Sequence, residues 1–270
     1  MQPTGSAPHR GNHPTLATSA CLGTAAFLIV FFLANFTGAG HAQLAPAAET
    51  GSAAAIRLTA DEREWIAGHR DIRLAVDPAQ PPYQYLDSLQ VFSGIASDYV
   101  RRINEALGID MKVVPGLSRE QAIQEFVGGH LDVIPSLAVV EKWEQRLLYS
   151  IPYLTSAIVI VTRTDSPFVT GVRDLAPERT IVLKGYAVQE FLEMDYPERN
   201  WAHAQSTEEA LEQVSRKKRD AFVGELAAIT YATQKLGLTN LKVAATTPYK
   251  LQMAFGVRKD WPELVPLLNR

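Results

Sequence analysis

The sequence predicts an α/β protein with two lobes, and three observations support that prediction. First, strand and helix patterns alternate along the chain, which is typical of a parallel sheet covered by helices. Second, the alternation is interrupted by a long β-branched run and then begins again, which indicates a second lobe. Third, the 270 residues are 47% hydrophobic and 20% charged, an ordinary composition for a globular protein of this size.

The first lobe is predicted to occupy residues 58–160. Thr59 with Glu62, and Ser118 with Gln121, have the spacing of capping boxes, which mark the starts of helices. Three strands separated by two helices indicate a parallel sheet, and ligands of such sheets collect beyond the carboxyl ends of the strands. Apolar periodicity predicts helices over 58–69, 95–107 and 118–127 and strands over 72–76, 111–115 and 131–134.

The stretch from residue 131 to 153 is predicted to form one wall of a binding cleft. The strand over 131–134 is followed by a turn at Pro135 and Ser136, and then by a helix that carries Trp143. A strand that leads through a loop into a helix presents free backbone amides to a small ligand.

The second lobe is predicted to occupy residues 161–250, and residues 251–270 return to the first lobe. The β-branched run over 157–163 leaves the first lobe, and a helix that begins at Trp261 reaches Arg270 after hardly two turns, so it looks truncated. Between them, the patterns predict strands over 180–183, 221–223 and 241–245 and helices over 187–194, 208–215 and 227–236.

The N-terminal segment has the pattern of a secretory signal. Residues 16–36 are almost wholly apolar, Arg10 precedes them, and small residues follow up to Ala42, where we expect cleavage. An uncleaved membrane anchor is the alternative, because about 20 apolar residues suffice to span a bilayer. We therefore assign residues 1–42 to a signal peptide or membrane anchor, and residues 43–57 to a linker rich in Ala, Gly and Ser. The expected location is periplasmic, with a possible membrane tether through the apolar segment.

Charge and cysteine content exclude several classes of function. The 26 Lys and Arg are outnumbered by 29 Asp and Glu, so the chain lacks the positive charge that nucleic-acid binding requires. Cys21 is the single cysteine, which rules out an intramolecular disulfide and a multi-cysteine metal site. The six histidines have no metal-ligand spacing. We expect no nucleic-acid partner, no metal and no cofactor.

Several segments together resemble a known family. They include IRLAVDPAQPPYQYLD, GIASDYVRRINEALG, LDVIPSL, YSIPYLTSAIVIVTR, IVLKGYAVQEFL and FGVRKDWPELVPLLN, in the expected order between residues 58 and 270. The chain resembles the family 3 periplasmic solute-binding proteins, and most closely the Venus-flytrap sensor domains of virulence-sensor type hybrid histidine kinases. This resemblance implies two lobes joined by two hinge-crossing strands, with a ligand captured by closure between them.

The resemblance also implies positions for two ligand contacts. In amino-acid binders of this family, an acid of the second lobe holds the ligand's ammonium, and that position falls on Glu225. The arginine that grips the ligand's carboxylate falls on Trp143, so the bidentate clamp is missing and an ordinary α-amino acid is not expected. Arg146 or Lys142 would replace it only if the helix were shifted. Trp143 either stacks on a planar or cationic ligand or packs between the lobes.

Other candidate contacts come from loops at the ends of predicted strands. Tyr83 and Tyr85 lie on alternate positions, so an extended segment would present both rings on one face, to a ligand or to the core. Asp77 ends the first strand and either contacts the ligand or opens a turn before Pro78.

A candidate anion site follows the first strand of the second lobe. Lys184, Gly185 and Tyr186 lie between a strand and a helix, where backbone amides attract an anion unless the segment is an ordinary turn. In the first lobe, Ser136 and the adjacent Leu137 are further candidates, and the Ser136 hydroxyl either donates to a ligand or caps the following helix.

Three functions remain open from the sequence. The leading one is an extracytoplasmic binding domain that closes on a small polar metabolite as the sensor input of a membrane kinase. The alternative is the solute-binding component of an ABC importer for amino acids or related compounds, whose partner is a permease. An enzyme on the same fold, a dehydratase or part of a lytic transglycosylase, is not expected because no acid–base constellation is evident.

Overall fold

Nine strands form one continuous sheet in the computed structural model, which describes residues 56–270. The predicted signal peptide or anchor, 1–42, and the linker up to residue 55 lie outside the described residues. The strands in the described part of the chain are β1 (Asp71–Leu74), β2 (Ala79–Gln80), β3 (Gln84–Leu86), β4 (Phe92–Ser93), β5 (Asp110–Val113), β6 (Val133–Ala138), β7 (Leu147–Tyr149), β8 (Leu154–Arg163), β9 (Thr180–Leu183), β10 (Ala202–Ala204), β11 (Ala221–Glu225) and β12 (Leu241–Arg258).

Helices connect most of these strands. Across residues 56–270 they are α1 (Ala60–Gly68), α2 (Ile95–Leu107), α3 (Arg119–Val127), α4 (Glu141–Glu144), α5 (Ala187–Asp195), α6 (Thr207–Ser215), α7 (Leu226–Leu236) and α8 (Leu264–Leu268), with single 3-10 turns at Val172–Asp174 and Pro177–Arg179. None of the helices in this range combines the length and the apolar character that a membrane crossing requires.

The sheet has two parallel halves joined by two antiparallel strands. Its order is β10, β9, β11, β8, β12, β6, β1, β5, with β7 paired to β12, while β2, β3 and β4 form a small separate sheet. Strands β1, β5 and β6 are mutually parallel where they pair, and so are β9, β10 and β11. We call the half with β1, β5 and β6 lobe 1 and the half with β9, β10 and β11 lobe 2. Strands β8 and β12 are the two crossing strands that the resemblance implies.

Each lobe has an apolar core cluster of its own. In lobe 1, Leu74 and Val133 of the sheet are buried with Leu264 and Leu267 of α8. In lobe 2, helices α6 and α7 cover one face of the sheet, and the cluster there includes the fully buried Phe222. Each lobe therefore buries apolar surface of its own, which is the main source of its stability.

Local signals predict the helix starts well. Both capping boxes form: the Thr59 side chain accepts from the Glu62 amide at the start of α1, and Ser118 with Gln121 does the same for α3. Gly108 closes α2 in the left-handed conformation, with φ of 65°. These boundaries depend on side-chain to backbone bonds within one turn, and so they can be read from adjacent residues.

Two strands differ from their predictions. The strand predicted over 131–134 lies at Val133–Ala138 and passes through Pro135. A register irregularity against β12, between Ala254 and Gly256, accommodates the proline, since bulges are sites where a sheet tolerates one. The strand predicted over 241–245 and the start of the segment predicted to return to the first lobe, from residue 251, are parts of one strand, β12. The predicted lobe boundaries after residues 160 and 250 therefore fall inside β8 and β12.

Candidate ligand-binding site

A cavity of about 80 Å³ lies where the carboxyl ends of the two parallel half-sheets meet. Asp77 follows β1 and Ser136 lies in β6, whereas Gly185 follows β9 and Glu225 ends β11. The loops after parallel strands converge at such an edge, which is why residues far apart in sequence share one cavity. Both lobes thus contribute to the same site.

The walls of the cavity are mainly apolar, with polar groups at few places. Trp143 of α4 is half-buried and lines the cavity, and it packs against one cluster that contains Val182 of lobe 2 and another that contains Phe126 of lobe 1. The aliphatic lining includes Ile134, Leu137, Val140, Val188, Val223 and Leu251. Apolar walls with a few polar groups are typical of small-molecule sites.

The lobes contact each other directly at one side of the cavity. Tyr186 of lobe 2 donates its hydroxyl proton to Asp77 Oδ2 of lobe 1 at 2.7 Å. Arg119 of α3 lies 3.3 Å from the same carboxylate oxygen through Nε and donates from Nη2 to the Gly185 carbonyl oxygen at 3.0 Å. Its guanidinium carbon also lies 4.3 Å from the centre of the Tyr186 ring. Arg119 is therefore engaged by a carboxylate, a carbonyl and an aromatic face.

Burial dominates the electrostatics of this contact. It raises the pKa of the Asp77 carboxyl, although the Tyr186 hydroxyl, the Ala79 amide and Arg119 act in the opposite direction. Burial and the neighbouring Asp77 carboxyl raise the pKa of the Tyr186 hydroxyl, which therefore remains the proton donor. A second interlobe ion pair joins Lys142 of α4 to Glu190 of α5.

Three buried polar atoms of the cavity lining have no hydrogen-bond partner: Gln84 Oε1, Ser136 Oγ and Glu225 Oε1. Their residues are 2%, 3% and 8% exposed. The other end of the Gln84 amide is satisfied, because Nε2 donates to the Ser136 carbonyl oxygen at 2.9 Å and to Gln80 Oε1 at 3.2 Å. The Tyr153 hydroxyl lies near Ser136 and the Tyr83 hydroxyl near Glu225, although neither meets the geometry of a hydrogen bond. Buried polar atoms in proteins are nearly always paired, so these three atoms, and Gln84 Oε1 above all, indicate a place for a polar ligand.

The carboxyl of Glu225 is a second strongly perturbed acid of the cavity. Burial raises the pKa of its carboxyl to about 8, an effect that Tyr83 partly opposes. Burial and the nearby Glu225 carboxyl likewise raise the pKa of the Tyr83 hydroxyl. Ionisable groups whose pKa is shifted by burial in a cleft are common at functional sites.

The structure brings together seven of the ten candidate residues. Asp77, Ser136, Leu137, Trp143, Gly185, Tyr186 and Glu225 all line the cavity. Tyr83, Tyr85 and Lys184 are not among its lining residues: Tyr83 is fully buried behind it, Tyr85 lies with its ring 6.4 Å from that of Tyr231, and Lys184 is exposed. Ser136 does not cap a helix, because it lies within β6.

The backbone amides of Lys184 and Gly185, which were expected to attract an anion, are hydrogen-bonded within the protein. The Gly185 amide donates to Gln189 Oε1 at 2.7 Å, and the Lys184 amide donates to the Ala204 carbonyl at 3.1 Å. These amides are therefore occupied by the protein itself, and the segment acts instead through the Gly185 carbonyl and the Tyr186 ring, which hold Arg119.

Most of the lining residues were not predicted, and three of them have polar contacts in the site: Gln84, Arg119 and Glu190. Gln84 lies between Tyr83 and Tyr85, the two residues of this segment that were predicted as candidate ligand contacts. Arg119 is the first residue of α3, whose start was correctly predicted, so its position near the carboxyl edge of the sheet was a usable signal. Glu190 lies on α5, and its pairing with Lys142 depends on how the lobes close. No group of three or more potential metal ligands occurs within residues 56–270.

Comparison with known proteins agrees with this geometry. The family model for bacterial extracellular solute-binding proteins, family 3, matches residues 72–270. Virulence sensor protein BvgS of Bordetella bronchiseptica is 29% identical over 222 residues, which cover 79% of this chain and 17% of that protein. This chain thus spans about a sixth of the length of the curated relatives it matches.

Solved structures of related domains have the same fold. The periplasmic VFT2 domain of BvgS from Bordetella pertussis has a TM-score of 0.69 and 25% identity, covering 79% of this chain and 91% of that one. A mutant of arginine-bound ArgBP from T. maritima has a TM-score of 0.65 and 21% identity, covering 77% and 96%. The two-lobe α/β architecture is that of a Venus-flytrap domain. The chain belongs to the bacterial extracellular solute-binding proteins of family 3.

Proposed function

We propose that this chain is a periplasmic sensor domain that closes its two lobes on a small polar ligand and passes closure to a membrane kinase. The observation that carries the proposal is the set of unpartnered buried atoms, Gln84 Oε1, Ser136 Oγ and Glu225 Oε1, contributed by both lobes to one cavity. A ligand that satisfies them gains hydrogen bonds only when the lobes are closed, so its binding energy favours the closed state.

The sensor role is supported over the importer role by the relatives. BvgS and Sensor protein EvgS of Escherichia coli are both sensor proteins by name, and EvgS is 23% identical over 172 residues. The alternative, a solute-binding component of an ABC importer, has support at the level of the fold from ArgBP. The relatives are binding and sensor proteins, which also argues against an enzyme.

Ligand binding in the cleft is tested on the full chain by a thermal-shift and calorimetry screen of small polar metabolites. A ligand at a hundred times its dissociation constant stabilises the folded protein by about 2.7 kcal/mol. Ser136→Ala and Gln84→Leu should weaken the binding of any such ligand. Ser97→Ala, at a residue of α2 that is not among the cavity-lining residues, is the control and should leave binding unchanged. A ligand that binds all four proteins equally would lie outside the cleft.

The sensor role needs a separate experiment. The chain replaces the homologous domain of a BvgS-type receptor, and kinase output is measured with and without a ligand found in the screen. We expect kinase output to change when the ligand is added. A receptor that carries the Gln84→Leu variant should no longer respond to the ligand. A chain that binds ligand but leaves output unchanged would favour the importer role.

A further inference from the structure

We propose that the cleft selects ligands that donate hydrogen bonds and carry no carboxylate, and that Asp77 imposes this selection by occupying Arg119. The inference rests on the proposed function, because it names the chemical class of ligand for the same cavity. It reverses the usual preference of amino-acid binders, which grip a carboxylate. The argument depends on three features: the polarity of Gln84, the pairing of Arg119, and the surplus of acid in the lining.

Gln84 needs a donor from the ligand. Its Nε2 donates to the Ser136 carbonyl oxygen, an atom that can only accept, and this contact fixes which end of the amide is nitrogen. The second proton of Nε2 is directed to Gln80 Oε1. The remaining atom, Gln84 Oε1, is an acceptor without a partner in a residue that is 2% exposed. A carboxylate has no proton to give it, whereas an amine, amidine or amide has.

Arg119 is the one cationic side chain among the described residues that line the cavity. It is paired with Asp77, donates to the Gly185 carbonyl and lies over the Tyr186 ring. A ligand carboxylate would have to displace these partners, and it would leave the buried Asp77 without its cation. Breaking a buried pair in this way is unfavourable, so Arg119 is not offered to an anionic ligand.

The acids of the lining outnumber this single cation. Asp77, Glu190 and Glu225 line the same cavity, and Lys142 pairs with Glu190 from outside the lining. Glu225 has no cationic partner at hydrogen-bonding distance within residues 56–270. From about pH 8 upward, where the Glu225 carboxyl is ionised to a large extent, an entering anion would lose its hydration beside a like charge, whereas a cation or a neutral donor would satisfy the carboxylate. Trp143 also lines this cavity, and the face of an indole ring attracts cations, so it favours a planar cationic group.

An isosteric set of probes tests the selection. Benzamidine, benzamide and benzoate share one ring and nearly one shape, but they are respectively a cation with donors, a neutral donor and an anion without donors. Their affinities for the full chain are measured by calorimetry at pH 8. We expect benzamidine to bind most tightly and benzoate at least tenfold more weakly than benzamide. Benzoate binding as tightly as benzamide would overturn the inference while leaving the proposed function intact.

The role of Asp77 is tested by Asp77→Asn, which keeps the shape of the side chain and frees the charge of Arg119. We expect the ratio of benzoate to benzamidine affinity to rise at least tenfold in this variant. Glu225→Gln is the matched comparison. This substitution should lower the affinity for benzamidine, and it should raise the affinity for benzoate less than Asp77→Asn does. An unchanged ratio in a folded Asp77→Asn variant would overturn the assignment to Asp77.

Failure of the inference is distinguishable from failure of the proposed function. If none of the three probes binds the folded wild-type chain, the inferred ligand class is overturned for planar groups of this size. The proposed function is then judged by the metabolite screen and the receptor measurement, neither of which uses these probes.

Discussion

Glu225→Gln should make the protein more stable at alkaline pH. Burial raises the pKa of the Glu225 carboxyl from its ordinary 4.5 to about 8. Between these pH values the folded protein retains a proton that the unfolded chain has released, so a rise in pH favours unfolding. The stability associated with this group is fully present below pH 4.5 and is lost as the pH rises through about 8.

The size of the effect follows from the pKa values. Each tenfold difference in proton affinity between the folded and unfolded states corresponds to about 1.4 kcal/mol, so the loss amounts to roughly 3 to 5 kcal/mol. Whole domains are stable by only about 5 to 15 kcal/mol, so the effect is large enough to measure. Glutamine has the same shape and no proton to lose, so the variant should lack this pH dependence.

Urea unfolding of the wild type and of Glu225→Gln at pH 5 and pH 8.5 provides the measurement. The difference in unfolding free energy between the two proteins should grow by roughly 3 to 5 kcal/mol in favour of the variant between these pH values. Other titrating groups are common to both proteins and cancel in the comparison. Glu141→Gln, at an exposed glutamate of α4, is the control and should follow the wild type. Parallel pH profiles for the wild type and Glu225→Gln would refute the reasoning.

Three further substitutions test the packing and the interlobe contact by chemical denaturation. Tyr186→Phe removes the 2.7 Å bond to Asp77 and should cost about 1 to 2 kcal/mol; no loss would show that this bond is weak in solution. Gly224→Ala places a methyl group 2.5 Å from the Phe222 ring and should cost about 1 to 3 kcal/mol, and a neutral result would contradict that close packing. Asp132→Asn weakens the pairs of the buried Asp132 carboxylate with the half-exposed Arg73 and with Arg258 and should cost about 1.5 to 3 kcal/mol, whereas an unchanged midpoint would mean that the arginines find other partners.

Features set by neighbouring residues were predictable from the sequence. The amphipathic pattern of 95–107 and the glycine after it reproduce α2 with both its ends. The capping boxes at Thr59 and Ser118 likewise mark the first turns of α1 and α3. The ends of predicted strands indicated Asp77 and Ser136 as candidates, and the family resemblance indicated Glu225. All three line one cavity, and their contact with a ligand stays a prediction.

Features set by distant partners were not predictable. The polar residues 246–250 look like a break between two strands, but they lie within β12, whose long ladder with β8 continues on both sides of them. The position of Arg119 near the carboxyl edge of the sheet was predictable, but its partners were not, because Asp77 and Gly185 are distant in sequence and belong to different lobes. Pro135 was read as the end of a strand, since the register irregularity that accommodates it depends on β12.

The route of β12 has a consequence for how the protein is made. Lobe 1 begins with β1, yet its sheet also needs the last part of β12, where Met253 to Val257 pair with β6, and its core needs Leu264 and Leu267. During synthesis, the first-made lobe therefore cannot complete its core until residues 253–267 have been added. Lobe 2 has most of its strands and both covering helices earlier, so we expect it to fold first. Until those residues are made, an unfinished first lobe would accordingly lie beside a folded second lobe.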